Sequence, residues 1–394
     1  MTALIQPFWS SVPQTDIDDL HRRLAETRWP PAGPQDGWAG GADQAYIRRI
    51  VCLWGQFDWP AFEKRLNARP NFVTEIDGQQ IHFLWVRSPR PNAVPLILTH
   101  GWPSSFLEYL PIVDRLTDPV GNGPEDGPAF DVVVPSLPGF GFSAAPQWPG
   151  MSPRRIAGLW VKLMQRLGYD RFAAFGCDWG AYVTALMGLD HPDRISAIQM
   201  GYLSLMSPDA RPNASDLEEK AYGERRRRWN DEEFGYFYQQ GTKPATVGIP
   251  LNDSPAGLAA WIIEKWRAWA DCIDDPAEII AMDSILATLS LYWFTQTASS
   301  SARIYYESRR DPVRLAPGQR VEVPSGFFLE APRSSSPGKT ERTGPPPRRL
   351  AELAFNVQGW FVAPKGGHFP GLETPDLLTR EIRSFFAAQH RPHA

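Results

Sequence analysis

Apolar and polar positions repeat with two different periods along these 394 residues. Between residues 72 and 202 the period switches between two and about 3.6, the alternation expected where strands and helices take turns. The runs 73–77 and 81–86, joined by Gly78-Gln79-Gln80, predict a hairpin, and the runs 94–99, 130–135, 172–175 and 197–200 predict buried strands. Upstream, Thr15-Asp16 opens a predicted helix over 15–24, Trp29-Pro30-Pro31 stops it, and a second helix is expected over 45–54. Residues 206–319 lack strand alternation and carry amphipathic helical stretches rich in tryptophan, among them Trp261, Trp266, Trp269 and Trp293. Strands resume at 321–329 and 356–362, and a helix over 377–388 closes the chain. The expected organisation is a helical extension (1–70), a first core half (71–205), a helical lid (206–319) and a second core half (320–394). The segment 333–347, rich in Ser, Pro, Gly and Arg, is expected to be an exposed or irregular loop.

The strand at 172–175 runs into Gly176-Cys177-Asp178-Trp179-Gly180 and then into a helical stretch at 181–187. Strand, tight turn and helix around a nucleophile flanked by glycines is the pattern of the nucleophile elbow in the α/β-hydrolases. The implied fold is an α/β-hydrolase with a mostly parallel, eight-stranded sheet. Aspartate at the centre selects the chemistry: a carboxylate attacks an sp3 carbon and forms an alkyl ester, so an epoxide or an alkyl halide is the expected electrophile. Strand 94–99 ends in His100-Gly101-Trp102-Pro103, which fits an oxyanion loop, and the backbone amides of Trp102 and Trp179 are the expected donors. Lys365-Gly366-Gly367-His368-Phe369 places a histidine on a late loop, after the nucleophile in chain order. His100 reads as structural, and Cys177 as a buried inert thiol.

Composition narrows the classes further. With 43% hydrophobic and 21% charged residues the chain is an ordinary globular one. A net charge of -4 gives no case for nucleic acid, and the run Arg225-Arg226-Arg227-Arg228 reads as a solvated helix face. Three widely spaced cysteines imply no disulfide framework. The residues show neither a signal peptide nor a run of apolar residues long enough for a membrane helix, so a cytoplasmic location is expected. Nothing resembles a phosphate loop or a metal-ligand cluster, and no cofactor or metal is expected.

Taken together these motifs resemble the microsomal-type epoxide hydrolases, including their soluble bacterial members, over nearly the whole chain. The lid adds Gly235-Tyr236, Thr242-Lys243-Pro244, the stretch 252–260 and the stretch 301–307, all similar to the family pattern. The resemblance implies Asp178 as nucleophile, His368 as general base, and Tyr236 and Tyr305 as donors to the epoxide oxygen. Tyr306, adjacent on a helix, is expected to pack elsewhere. For the acid that orients His368, Glu341 stands at a spacing compatible with the family and is preferred over Glu330, and the stretch 333–339 interrupts the family pattern between them. The implied partners are a hydrophobic epoxide and water, with a role in secondary metabolism and a homodimer left open. A haloalkane dehalogenase and a non-catalytic small-molecule binder are the alternatives; paired phenols argue against the first, and intact Asp178 and His368 against the second.

Overall fold

The computed structural model describes residues 4–31, 33, 37–118, 127–209, 216–330 and 339–389. A short strand β1 (Gln6–Pro7) precedes three helices, α1 (Gln14–Ala25), α2 (Gln44–Trp54) and α3 (Trp59–Asn67). Strands β2 (Asn71–Ile76) and β3 (Gln79–Val86) form the expected hairpin. Then follow β4 (Val94–Thr99), α4 (Leu110–Thr117), β5 (Phe130–Pro135), α5 (Pro153–Arg166), β6 (Phe172–Gly176), α6 (Trp179–Asp190) and β7 (Ile195–Met200). Six helices come next: α7 (Leu217–Glu233), α8 (Gly235–Thr242), α9 (Pro244–Asp253), α10 (Pro255–Trp269), α11 (Met282–Phe294) and α12 (Ala298–Arg310). The chain finishes with β8 (Val321–Glu330), α13 (Arg348–Glu352), β9 (Phe355–Ala363), α14 (Pro370–Glu373) and α15 (Pro375–Gln389).

Among the described residues the sheet has nine strands, in the order β1-β2-β3-β5-β4-β6-β7-β8-β9. Pairing is antiparallel from β1 to β5 and parallel from β5 to β9. The expected count of eight missed β1, whose two exposed residues pair only with Val73 and Phe72 and carry no alternation to read. The central strands β4 and β6 are covered on both faces: Leu96, Ile97, Leu98, Ala173, Ala174 and Phe175 are all fully buried. Continuous apolar runs are what a doubly covered parallel strand requires.

The six helices between β7 and β8 are pinned from two sides. From the core, the Tyr292 hydroxyl donates to the Ser104 carbonyl at 2.9 Å and the Trp266 indole to the Pro103 carbonyl at 3.4 Å. From the N-terminal helices, the Trp54 indole donates to the Ser290 hydroxyl at 2.8 Å, the Tyr46 hydroxyl to Asp275 at 2.5 Å, and Arg23 pairs with Asp253 at 3.0 Å. The N-terminal helices therefore act as a buttress that fixes the insertion over the carboxyl ends of the strands.

Candidate active site

Asp178 sits at the sharp turn between β6 and α6 with φ +53°, a left-handed conformation that a non-glycine residue holds only where its surroundings impose it. The turn closes because Gly180 has no side chain; a Cβ there would run into the Thr99 carbonyl at the end of β4. Gly101 is required for a similar reason, since a Cβ on it would collide with the Asp178 side chain. The carboxylate is thus gripped between two loops at the carboxyl edge of adjacent parallel strands. Its Oδ1 accepts a hydrogen bond from the Trp102 backbone N–H at 2.9 Å. The second expected donor, the Trp179 N–H, makes no hydrogen bond to Asp178 among the described residues. Cys177 is buried, its sulfur turned towards Gly201, and burial pushes its thiol well above the usual range.

His368 brings its Nε2 to 3.5 Å from Asp178 Oδ2, an ion-pair distance longer than a hydrogen bond. Its loop is held mainly by Glu373, whose carboxylate accepts from the backbone N–H groups of Gly367 (2.8 Å), Phe369 (2.8 Å) and Asp271 (2.7 Å). The His368 N–H itself donates to the Trp269 carbonyl at 3.1 Å. Sequence reasoning missed Glu373, because a lone carboxylate five residues after a histidine carries no local pattern. Glu108, on the turn after the oxyanion loop, was missed in the same way. It is buried next to Gly371 and Ser104, and burial pushes its carboxyl up to about 8.

Two phenols close the cavity from above. The Tyr236 ring, on α8, stacks on Trp102 with centroids 5.1 Å apart, and the Tyr305 ring, on α12, meets Trp179 edge-on at 4.8 Å. The Tyr305 hydroxyl is buried without a partner of hydrogen-bond geometry among the described residues. The Trp179 indole and the Tyr236 hydroxyl are its polar neighbours, and its proton is available to an oxygen placed there by a ligand. Burial, above all, raises both phenols well above their ordinary value, which keeps them protonated and able to donate. Tyr306 is stacked under Arg310 at 3.2 Å and faces away, as expected. His100 is fully buried; its Nε2 accepts from the Leu137 N–H at 3.2 Å, so its Nδ1 carries the proton shared with the Gly101 carbonyl at 3.0 Å. Burial lowers its imidazole to about 4, which suits a structural role.

Neither candidate relay acid makes a contact with His368 among the described residues. Glu341, preferred on spacing, is not brought to His368: its carboxylate is ion-paired with Arg228 at 3.0 Å. Glu330, at the end of β8, lines the cavity beside His368, but its carboxylate is paired with Arg342. Arg342 is almost fully buried, with its guanidinium against Gly367. Of the stretch 333–339 that separates the two glutamates, only Lys339 lies within the described residues.

Asp178, His368, Tyr236, Tyr305 and the indoles of Trp179 and Trp269 share one cavity of about 360 Å³. No cluster of three metal-ligating side chains occurs among the described residues, nor any helix long and apolar enough to cross a membrane. Comparison with known proteins decides which branch of this architecture is present. The family described as "Epoxide hydrolase N terminus" matches residues 5–109, and the "alpha/beta hydrolase fold" family matches 94–245. A Stigmatella aurantiaca protein provisionally named an epoxide hydrolase is 41% identical over 97% of this chain and 84% of its own. The chain belongs to the epoxide hydrolase family. Epoxide hydrolase 1 of Sus scrofa is 32% identical, covering 97% of this chain and 88% of its own length. Among solved structures, the juvenile hormone epoxide hydrolase of Bombyx mori superposes with a TM-score of 0.82 at 28% identity, over 98% of this chain and 94% of that one. The epoxide hydrolase of Aspergillus niger gives the same TM-score at 29% identity. As an epoxide hydrolase family member, the chain is a hydrolase.

Proposed function

We propose that the protein opens a hydrophobic epoxide to a vicinal diol through an ester on Asp178. The observation that carries this reading is a carboxylate fixed on a strained turn, with one oxygen bonded to the Trp102 amide and two buried, protonated phenols above it. Asp178 Oδ2 would form a bond to one epoxide carbon while the carbon–oxygen bond of the ring breaks. Tyr236 and Tyr305 would donate to the departing oxygen, and a proton from one of them would leave it a hydroxyl. Oδ1, now the ester carbonyl oxygen, already sits on the Trp102 N–H, where negative charge develops when water attacks. His368 would take one proton of that water, collapse of the tetrahedral intermediate would break the ester C–O bond, the departing alkoxide would take the other proton of the water and leave as the diol, and the proton held by His368 would return to the phenolate, restoring carboxylate, imidazole and phenol.

For the acid that supports the imidazolium, we place Glu330 ahead of Glu341 because Glu330 lines the cavity that holds His368; each glutamate is paired with an arginine, Glu330 with Arg342 and Glu341 with Arg228. The aromatic lining favours a bulky apolar group next to the oxirane. The test is intact-protein mass spectrometry of His368→Ala incubated with styrene oxide. An adduct of the mass of the whole epoxide, mapped to Asp178, is expected. Turnover by the wild type with no adduct in the variant would overturn the ester route.

A further inference from the structure

The four consecutive arginines stand on α7, and the structure sends them in different directions. Arg225 donates to the Thr343 carbonyl at 2.9 Å, Arg227 pairs with Asp231 at 3.3 Å, and Arg228 with Glu341 at 3.0 Å. Arg226 pairs with no carboxylate among the described residues and lines the cavity instead. Helical spacing explains the split. Tyr222, Arg226, Trp229 and Asn230 stand at i, i+4, i+7 and i+8, a single stripe, and all four line the cavity. The solvated-face expectation holds for Arg226, Arg227 and Arg228, all of them exposed, and Arg226 differs from the other two in also lining the cavity.

This stripe reaches towards the nucleophile. The Arg226 guanidinium lies close enough to the phenols of Tyr182 and Tyr222 to offset part of the upward push that burial gives them. Tyr182 is one helical turn beyond Asp178, about 5 Å along α6, and its ring is 5.4 Å from that of Trp179. The lining is therefore mixed in character. Aromatic rings surround Asp178, and the α7 stripe adds a cation and the Asn230 amide to the rings of Tyr222 and Trp229. Among the other charged side chains of the cavity, Glu330 is paired with Arg342, and Asp178 accepts from the Trp102 amide with His368 Nε2 3.5 Å away. A purely apolar epoxide would use the aromatic rings and leave the guanidinium without a counterpart.

We propose that the preferred substrate is an amphiphilic epoxide, whose apolar chain carries the oxirane to Asp178 while a free carboxylate at its far end is bound by Arg226. The proposal rests on the epoxide-opening reading and adds the substrate class to it. A guanidinium presents a planar fork that fits a carboxylate in two parallel hydrogen bonds. Because Arg226 lies at the exposed rim, the gain is modest and should appear in KM rather than kcat.

The test uses ω-epoxy fatty acids of graded length, from hexanoate to undecanoate, each beside its methyl ester, with the wild type and Arg226→Gln. At the length that spans the cavity, the acid should show a KM about fivefold below that of the ester. Arg226→Gln should remove that advantage, leave kcat within about twofold, and leave the ester kinetics unchanged. Added salt should erode the preference in the wild type. Two results would overturn the proposal: no acid preferred at any length, or a variant that slows acid and ester alike. Esters opened without any acid preference would sink this inference alone. If the wild type opened no acid, no ester and not even styrene oxide, the epoxide-opening reading would fall and take this one with it.

Discussion

The two reacting side chains of the cavity are held by different means. Asp178 is placed by backbone: a left-handed turn, a glycine against the Thr99 carbonyl, a second glycine against the carboxylate itself, and an amide N–H as its partner. His368 is placed by buried ionisable side chains, with Glu373 collecting three amides of its surroundings and the Arg342 guanidinium packed against Gly367. Backbone positioning costs nothing in protonation and tolerates no added atoms. Side-chain positioning is the reverse: it survives small changes in shape but depends on which carboxylates are charged.

The sharpest way to break the first half is Gly101→Ala. Its Cβ would collide with Asp178, so the nucleophile or its loop must move, and a misplacement near 1 Å can cost on the order of 10²-fold in rate. A fall of that size in kcat/KM, with unchanged circular dichroism, is expected; a near-normal rate would mean that the turn is not fixed by its backbone. A smaller effect separates the candidate acids. Glu330→Gln should lengthen the lifetime of the Asp178 ester in a single-turnover experiment by about tenfold, and Glu341→Gln by less than about twofold. The opposite order would assign the relay to Glu341 and require Arg228 to release it.

The smallest effect concerns Glu108, which bridges the two halves by sitting on the nucleophile side against Gly371. Its carboxyl is raised from about 4.5 to about 8 by burial, so the folded state holds the proton more tightly than the unfolded chain does. Its stabilising share is complete below pH 4.5 and is lost progressively as the pH rises towards 8. Glu108→Gln lacks that slope. Melting temperatures measured between pH 5 and pH 8 should shift in favour of the variant by a few degrees as the pH rises; parallel curves would show that Glu108 is charged in the fold.

What was legible in the sequence divides along the same line. Strands β4 and β6 and the elbow are local patterns, in which apolar runs and glycine spacing state their geometry directly, and Asp178, Tyr236, Tyr305 and His368 do line one cavity, with the Trp102 amide bonded to Asp178. Glu373 and Glu108 look like any surface carboxylate until tertiary packing buries them. Spacing suggested Glu341 for His368, but counting residues cannot tell which way a side chain turns, and here the Glu341 carboxylate meets Arg228. β1 escaped because two residues hold no period, and Arg226 because the inward stripe of α7 exists only once the helix has a cavity to face.

The buttress of N-terminal helices has a kinetic meaning. Trp54, Tyr46 and Arg23 fasten α11, the turn before it and α9, the neighbours of the helices α8 and α12 that carry the phenols over Asp178. Such fastening favours traffic through rotations of rim side chains, which take picoseconds to nanoseconds, over a swing of whole helices on the microsecond to millisecond scale. The N-terminal helices would thereby help to set how quickly the cavity refills, although none of the described residues among the first seventy lines it.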